Sequence, residues 1–562
     1  MTFAAAIGAR CRGWLRTRQN ALFAALVVLH LVPIWSATYF PSQDGPAHIN
    51  NANVLREYDH PDRTVFREYY VLNTNPEPNW AGHIILAALM YIVPMLVAEK
   101  LLLSGYVVLL AISARYAAGA VRPEGRWVAI LAFPFTYNFM LHMGFYNFCY
   151  SLPMYFLVLG LWVRHGDKLA LRETVLLSVA AVGLYFAHVL SLVTAYLAIG
   201  GLAASVTAVE LITLAAGREP DARAMWRRAA RRALLAAGAL LPPLLLTANF
   251  LSQKGTAHSA RLAAKLQWDR LYMVESLVSN SDREEPLARA VFWLFVVVTA
   301  YCVVRKVAIR HWTRWDALFL VAAGYVLVYF RAPDGMSGGG FISHRLILFP
   351  FLALILWFAA QSYCRLSRYI IQGAATVLAI AMLVVHTTSY ARLNDYLDEY
   401  LSGADLIEPN TTLLPLCFTH NGYDGGEFLS KRIGLFLHAS GHIGARRRVV
   451  ELDNYEGNTT YFPVLFRYEL NAFHHMGTLE AQPPKVDIAS YVAKTGGRVD
   501  YVLVWNIRDD QRDLPDTKSI QRELDHGYHL IHTSEPRGMM QLYRRNDLST
   551  DLAAPDGELG DG

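Results

Sequence analysis

The first polar stretch after the opening apolar run, residues 41–100, holds the side chains best suited to chemistry: Asp44, His48, Glu57, Asp59, Asp62, Glu68, Glu77 and His83. Asp44 lies in Pro41-Ser42-Gln43-Asp44-Gly45-Pro46, where two prolines and a glycine dictate a tight, stiff turn. Such a turn holds a carboxylate in place just beyond the end of the run. Glu77 is framed by prolines as well, in Asn75-Pro76-Glu77-Pro78-Asn79. A loop that folds back brings the two acids together, and a carboxylate pair can deprotonate a hydroxyl, orient a substrate or hold a divalent metal. The bland alternative is an Asp that caps a turn or helix and a Glu that stays in water.

Histidines and cations extend this set. His48, His83, His142, His188, His258 and His344 all fall on the side that the topology below places outside. Imidazoles at helix ends most often serve as interfacial hydrogen-bonding groups, and no His-x-x-x-His or similar pair is present, so no metal ligands are assigned. The glycine-rich stretch 331–345 (RAPDGMSGGGFISHR) ends in His344-Arg345 just before an apolar run. A guanidinium at that depth grips phosphate bidentately, or serves only as a snorkelling anchor. Lys254, Arg261 and Lys265 bring further positive charge to the same side. Gly338-Gly339-Gly340 lacks the spacing and the Lys-Ser or Lys-Thr of a P-loop and reads as a flexible loop.

The elements that must position these groups are helices in lipid. With 54% hydrophobic residues, 17% charged residues and a mean hydropathy of +0.25 over 562 residues, the chain is too apolar for water. Its apolar residues gather into eleven runs near 21–40, 101–118, 127–143, 149–163, 174–188, 190–216, 233–250, 287–304, 316–330, 346–360 and 369–389. A twelfth stretch, 81–97, is also apolar, and whether it crosses decides the side of everything after it. If it lies in the interface, the segments on the N-terminal side carry 21 Lys and Arg against 11 on the other. If it crosses, the basic stretches 217–232 and 304–314 fall outside, against the positive-inside bias. The expectation is therefore about eleven spans, one interfacial helix, a cytoplasmic N-terminus and a C-terminal domain outside. Residues 1–20 read as the flank of a retained signal anchor.

From about residue 390 the runs give way to short β-prone stretches, with strands expected near 411–418, 447–452, 499–505, 528–533 and 540–544. The domain expectation is a membrane domain over 1–389 with its first outer loop at 41–100, an outer soluble α/β domain over 390–545, and an acidic disordered tail over 546–562. Only Cys417 of the five cysteines lies in the soluble part, so no disulfide framework is available there. Asn410-Thr411-Thr412 and Asn458-Thr459-Thr460 match the weak N-glycosylation pattern. The net charge of +5 sits largely in short inter-span loops, which gives no reason to invoke nucleic acid.

At this point the layout resembles the GT-C superfamily of membrane glycosyltransferases, which includes aminoarabinose transferases and protein O-mannosyltransferases. The likeness rests on an Asp near the start of a long first outer loop, as at Asp44, and on Glu77-Pro78-Asn79-Trp80 before an apolar segment. It rests also on the helix with a basic end at 98–126 and on VDYVLVWN (499–506) with HGYHLIHTSEPRGMMQLYRR (526–545). The resemblance implies a sugar transferred from a polyprenyl-phosphate-linked donor to an acceptor on the outer face of a bacterial cytoplasmic membrane. By it, Asp44 becomes the base or acceptor-orienting residue and Glu77 its partner. Arg345 becomes a phosphate ligand, and His48, His83, Lys254, His258 and His344 join it in the substrate-binding set. The sequence departs from the pattern in having Asp44-Gly45-Pro46 where an acidic pair is usual, and in lacking a Trp-Trp-Asp motif. The alternative is a transporter or flippase of a lipid-linked or polar substrate, motivated by the many spans and by Pro134, Pro153 and Pro242-Pro243. Against it, the spans read as nearly free of ionisable side chains.

Overall fold

The computed structural model describes residues 18–166, 169–216, 222–254, 258–310, 312–336 and 339–548. They form two compact units: Met1–Gly45, Thr74–Asn394 and Ser430–Ile433 in the first, and Pro46–Asn73, Asp395–Leu429 and Gly434–Gly562 in the second. Most of the acidic tail expected at 546–562 lies outside the described residues.

The first unit is helical because its sequence offers long runs of Leu, Ala and Val with few breakers, and in lipid a helix satisfies its own backbone. Among the described residues, eight helices are long and apolar enough to cross a membrane: Gln19–Ser36, Met95–Val121, Tyr146–His165, Val189–Ala215, Ala222–Lys254, Glu284–Ile309, Ile342–Ala360 and Arg365–Leu406. Each overlaps one of the eleven apolar runs. The other three runs are shorter or wound differently. Run 127–143 forms the 3-10 helix Pro123–Phe135 and a turn at Phe139–His142, while Leu171–Ala187 and Ala317–Arg331 have 17 and 15 residues. A 3-10 helix rises about 2 Å per residue, so that stretch reaches further than its residue count suggests.

The stretch 81–97 contains the nine-residue helix Ala81–Leu89 and breaks before Pro94. Nine residues rise only about 14 Å, under half of a hydrocarbon core.

Burial sorts the helices. Ile342–Ala360 and Tyr146–His165 are central, with 83% and 72% of their apolar windows buried, whereas Ala222–Lys254 has 22%. Leu234, Leu320 and Val377 stand 73%, 65% and 66% exposed. Such faces are unfavourable in water and favourable in hydrocarbon, so the chain is an integral multi-pass membrane protein. Small residues let the central helices approach: at Gly160 a side chain would meet the Tyr116 ring at 2.6 Å.

The second unit is built on a five-stranded sheet in the order Tyr528–Thr533, Met540–Arg545, Tyr501–Trp505, Thr412–Cys417, Val450–Glu451. Thr412–Cys417 runs parallel to both Tyr501–Trp505 and Val450–Glu451, and the remaining pairings are antiparallel. Every residue of Thr412–Cys417 and Tyr501–Trp505 is buried, as befits strands covered on both faces. Leu414, Leu416, Val502 and Val504 share a core with Ile488 and Tyr491 of helix Ile488–Thr495 and with Ile520 and Leu524 of helix Pro515–Gly527.

Residues 46–73, assigned by sequence to the first outer loop of the membrane domain, cluster with this second unit instead. Tyr70–Leu72 pairs antiparallel with Val464–Phe466, and Val54, Val65, Phe66 and Tyr69 enter its core. The physical reason is that this part of the loop carries its own apolar residues, which need burial.

Candidate functional site

Asp44 is 3% exposed, and its backbone is clamped. The Gln43 amide donates to the carbonyl of His142 at 2.9 Å and the Asp44 amide to that of Met143 at 3.1 Å. Gly144, at φ +83°, makes this approach possible, because a Cβ there would lie 2.7 Å from the Asp44 nitrogen. Gln43 Nε2 donates to Asp44 Oδ1 at 3.1 Å. Helix Gly45–Glu57 begins at the next residue. Ser42 Oγ is 2.9 Å from Tyr146 OH, and that phenol donates to Glu99 Oε1 at 2.6 Å. A buried acid from helix Met95–Val121, 1% exposed, thereby braces the turn that carries Asp44.

Glu77 is 2% exposed, and its Oε1 lies 3.2 Å from Lys254 Nζ. Tyr185 OH donates to the carbonyl of Pro76 at 3.0 Å and Asn147 Nδ2 to that of Asn79 at 2.7 Å, which pins the proline-rich turn on both sides of Glu77. His83 lies on Ala81–Leu89 and is fully buried.

Arg345 stacks its guanidinium 4.8 Å over the Phe145 ring and 5.7 Å over that of Phe148, and donates to the carbonyl of Gly340 at 2.6 Å. Its neighbour His344, 6% exposed, stacks on Phe139 at 4.9 Å and faces Glu275 at 3.8 Å. Glu275 is itself bound by Arg270 at 2.8 Å and by Arg432. His258 is exposed and bridges to Met336, while the Ser259 amide donates to Gly335 at 2.9 Å, so the segment after Lys254 is joined to the loop before Arg345. His48 belongs to the second unit, where its Nδ1 pairs with buried Glu456. The substrate-binding set expected from sequence is thus divided between two units.

Several residues had no sequence signal beyond an isolated polar letter in an apolar run. Glu99 is one. Glu284 and His386, both 0% exposed, pair at 3.4 Å, and Glu284 Oε2 caps the amides of Ser279 and of Asn280, the latter at 3.1 Å. The His386 ring lies 5.1 Å from that of His142, whose Nε2 is 2.6 Å from Tyr390 OH. With His30 also buried, the helices hold more ionisable groups than the runs suggest when read one at a time.

No family model matches the chain, and no curated protein matches it. Among solved structures, the crystal structure of ArnT from Cupriavidus metallidurans in the apo state aligns with 97% of this chain and 100% of its own, at 11% identity and a TM-score of 0.46. A likeness at that level carries no argument about chemistry.

Proposed function

We propose that this chain is a membrane glycosyltransferase that moves a sugar from a polyprenyl-phosphate-linked donor to an acceptor hydroxyl or amine on the outer face of a bacterial cytoplasmic membrane. The observation that carries this reading is that one short segment, Phe139–Phe148, frames both reacting ends. Its carbonyls at His142 and Met143 hold the Gln43-Asp44 backbone, and its rings at Phe145 and Phe148 carry the Arg345 guanidinium. A fixed carboxylate and a fixed guanidinium on one frame suit a reaction in which a proton leaves the acceptor while a lipid phosphate departs. In this reading Asp44 takes or orients the acceptor proton and Arg345 binds the leaving phosphate. Lys254 pairs with Glu77 and fixes its carboxylate in place.

The test is mass spectrometry of lipids that co-purify in native membrane discs, paired with transfer assays on any polyprenyl-phosphate sugar recovered. Wild type and Asp44→Asn should both retain such lipids, and Arg345→Ala should lose them. Asp44→Asn should lower transfer by about 10²- to 10⁴-fold. Only bulk phospholipid in all three samples would remove the proposal's basis.

A second reading, transport or flipping of a lipid-linked or polar substrate, is favoured by the buried Glu284, His386, His142 and Tyr390. It requires that substrate cross the bilayer in a vesicle assay and that Asp44→Asn leave that movement intact.

A further inference from the structure

We propose that a cavity beside Arg314, at the basic end of the helical unit, binds one anionic glycerophospholipid from the surrounding bilayer. The inference does not rest on the glycosyltransferase reading.

The site is built on Trp312-Thr313-Arg314-Trp315-Asp316, which lies between helices Glu284–Ile309 and Ala317–Arg331. Thr313 and Asp316 form a capping box on the short 3-10 turn Arg314–Asp316, and Asp316 Oδ2 accepts the Thr313 amide at 2.7 Å. The same carboxylate accepts from Lys306 Nζ at 3.0 Å and, through Oδ1, from Trp357 Nε1 at 2.9 Å. Side chains of two neighbouring helices thus pin the turn that carries Arg314. Arg314 itself is exposed, with its guanidinium 4.4 Å over the Trp315 ring.

Beside this turn lies a cavity of about 340 Å³, within the ~300–1,000 Å³ of small-molecule sites. Lys306, Trp312 and Arg314 line it together with Val209, Phe319 and Leu320. Val209 and Leu320 are 52% and 65% exposed, so the apolar wall opens onto lipid. A second cavity also has Arg314 in its lining, with Arg232 and Trp315. Among the described residues, three cations and one acid, Asp316, line the two cavities, and Glu210 offsets a further charge from 3.0 Å away on Arg232. One positive charge remains, which a single phosphodiester matches.

The chemistry selects a lipid of one kind. A guanidinium grips a phosphodiester in two-pronged fashion, and basic pockets between spanning helices take anionic headgroups. Indole rings favour the headgroup level, as Trp312 and Trp315 would there. The cavity holds the headgroup and the first methylenes, while the acyl chains continue along Val209 and Leu320. A zwitterionic headgroup would bring its own ammonium up to Arg314 and Lys306. The site is also separate from Arg345: twelve residues of Ile342–Ala360 lie between Arg345 and Trp357, about 18 Å of helix.

The experiment takes the full chain from discs of equal phosphatidylglycerol and phosphatidylcholine into mild detergent and counts the lipid retained by native mass spectrometry. One phosphatidylglycerol per wild-type chain is expected, with phosphatidylcholine washed away. Arg314→Gln should lower that retention at least about tenfold, and Arg314→Lys, which keeps the charge without the fork, should fall between. Arg227→Gln removes an equal charge from an exposed position of helix Ala222–Lys254 that lines neither cavity, and should retain lipid as the wild type does. Excess inorganic phosphate should not displace the lipid, because its chains are held as well. Melting shows which variants fold, and the headgroup comparison on the wild type needs none of them. Equal retention of both lipids, displacement by phosphate, unchanged retention in folded Arg314→Gln, or an equal loss in Arg227→Gln would each overturn the proposal.

Discussion

Three ion pairs of the helical unit and the strand end at Glu451 treat buried negative charge differently. In the helical unit each of three acids meets a cationic or protonatable partner on another element: Glu77 with Lys254 at 3.2 Å, Glu284 with His386 at 3.4 Å and Asp316 with Lys306 at 2.9 Å. At the strand end of the second unit, Glu451 accepts instead from the neutral groups of Asn50, at 3.2 Å, and Ser440. Hydrocarbon offers no water to solvate a stray charge, so an ionised acid there is most stable beside a cation or a hydrogen-bond donor. In the second unit Asp500 and Glu399 also have arginine partners, Arg545 at 3.2 Å and Arg537 at 2.9 Å, so Glu451 stands apart even there.

The sharpest way to break this comparison is to remove one member of a compensated pair. His386→Leu leaves Glu284 fully buried and facing an aliphatic side chain, and should destabilise the chain by about 3–5 kcal/mol. The Glu284→Gln/His386→Leu double variant should regain much of the loss, because Gln still caps the Ser279 and Asn280 amides through its carbonyl oxygen. Denaturant unfolding in discs reads both effects. A single variant as stable as wild type would mean that the pair carries no buried charge.

The strand end at Glu451 should respond to pH. Burial, with the nearby Glu456, raises Glu451 from an ordinary 4.5 to about 7, against weaker opposing hydrogen bonds from Ser440 and Asn50. A carboxyl raised in the folded state favours the protonated form. Its contribution is therefore unperturbed below about 4.5, and stability falls as pH rises through 4.5 toward 7, with little further change above. At about 1.4 kcal/mol per unit the whole change is on the order of 3 kcal/mol. Glu451→Gln should flatten that slope. The wild-type-minus-variant difference in melting across pH isolates the group, and a difference independent of pH would place the charge compensation elsewhere.

What the sequence makes legible follows from the same physics. A bilayer demands runs of apolar residues, so all eight long helices coincide with runs that can be read by eye. Thr412–Cys417 and Tyr501–Trp505 are legible too, because strands buried on both faces read as continuous apolar stretches. The pairing of Tyr70–Leu72 with Val464–Phe466 is not, since nothing local encodes a partner so far along the chain. Asp44, Glu77 and Arg345 were visible as polar residues in loops. Glu99, Glu284 and His386 were not, because each is a single letter whose meaning comes from a side chain on another helix. The role of Phe139–Phe148 as the common frame of Asp44 and Arg345 was hidden for the same reason: its backbone carbonyls and ring faces leave no compositional mark.

A double-mutant cycle on Lys254→Met and Glu77→Gln sharpens the comparison at its exposed edge. The ammonium is partly open and the carboxylate is not, with side-chain exposures of 12% and 2%. The coupling should be about 0.5–3 kcal/mol, and Lys254→Met should be the worse single change because it strands the more buried charge. Equal single effects with no coupling would make the contact incidental.

The smallest expected effect lies where charge meets water. Asp487 caps helix Ile488–Thr495 by accepting the Ser490 amide at 2.7 Å, an exposed bond, and Gly496 ends that helix at φ +67°. Asp487→Ala should cost about 1 kcal/mol, because water replaces the lost acceptor in part. Gly496→Ala should cost a similar 1–2 kcal/mol, roughly, from the left-handed backbone alone. Both shifts should appear in the melting of the second unit while transfer activity stays at the wild-type level. A cap loss as large as that of His386→Leu would show that solvent access does not separate the two classes of polar group, and the contrast between the ion pairs and the strand end would then need another cause.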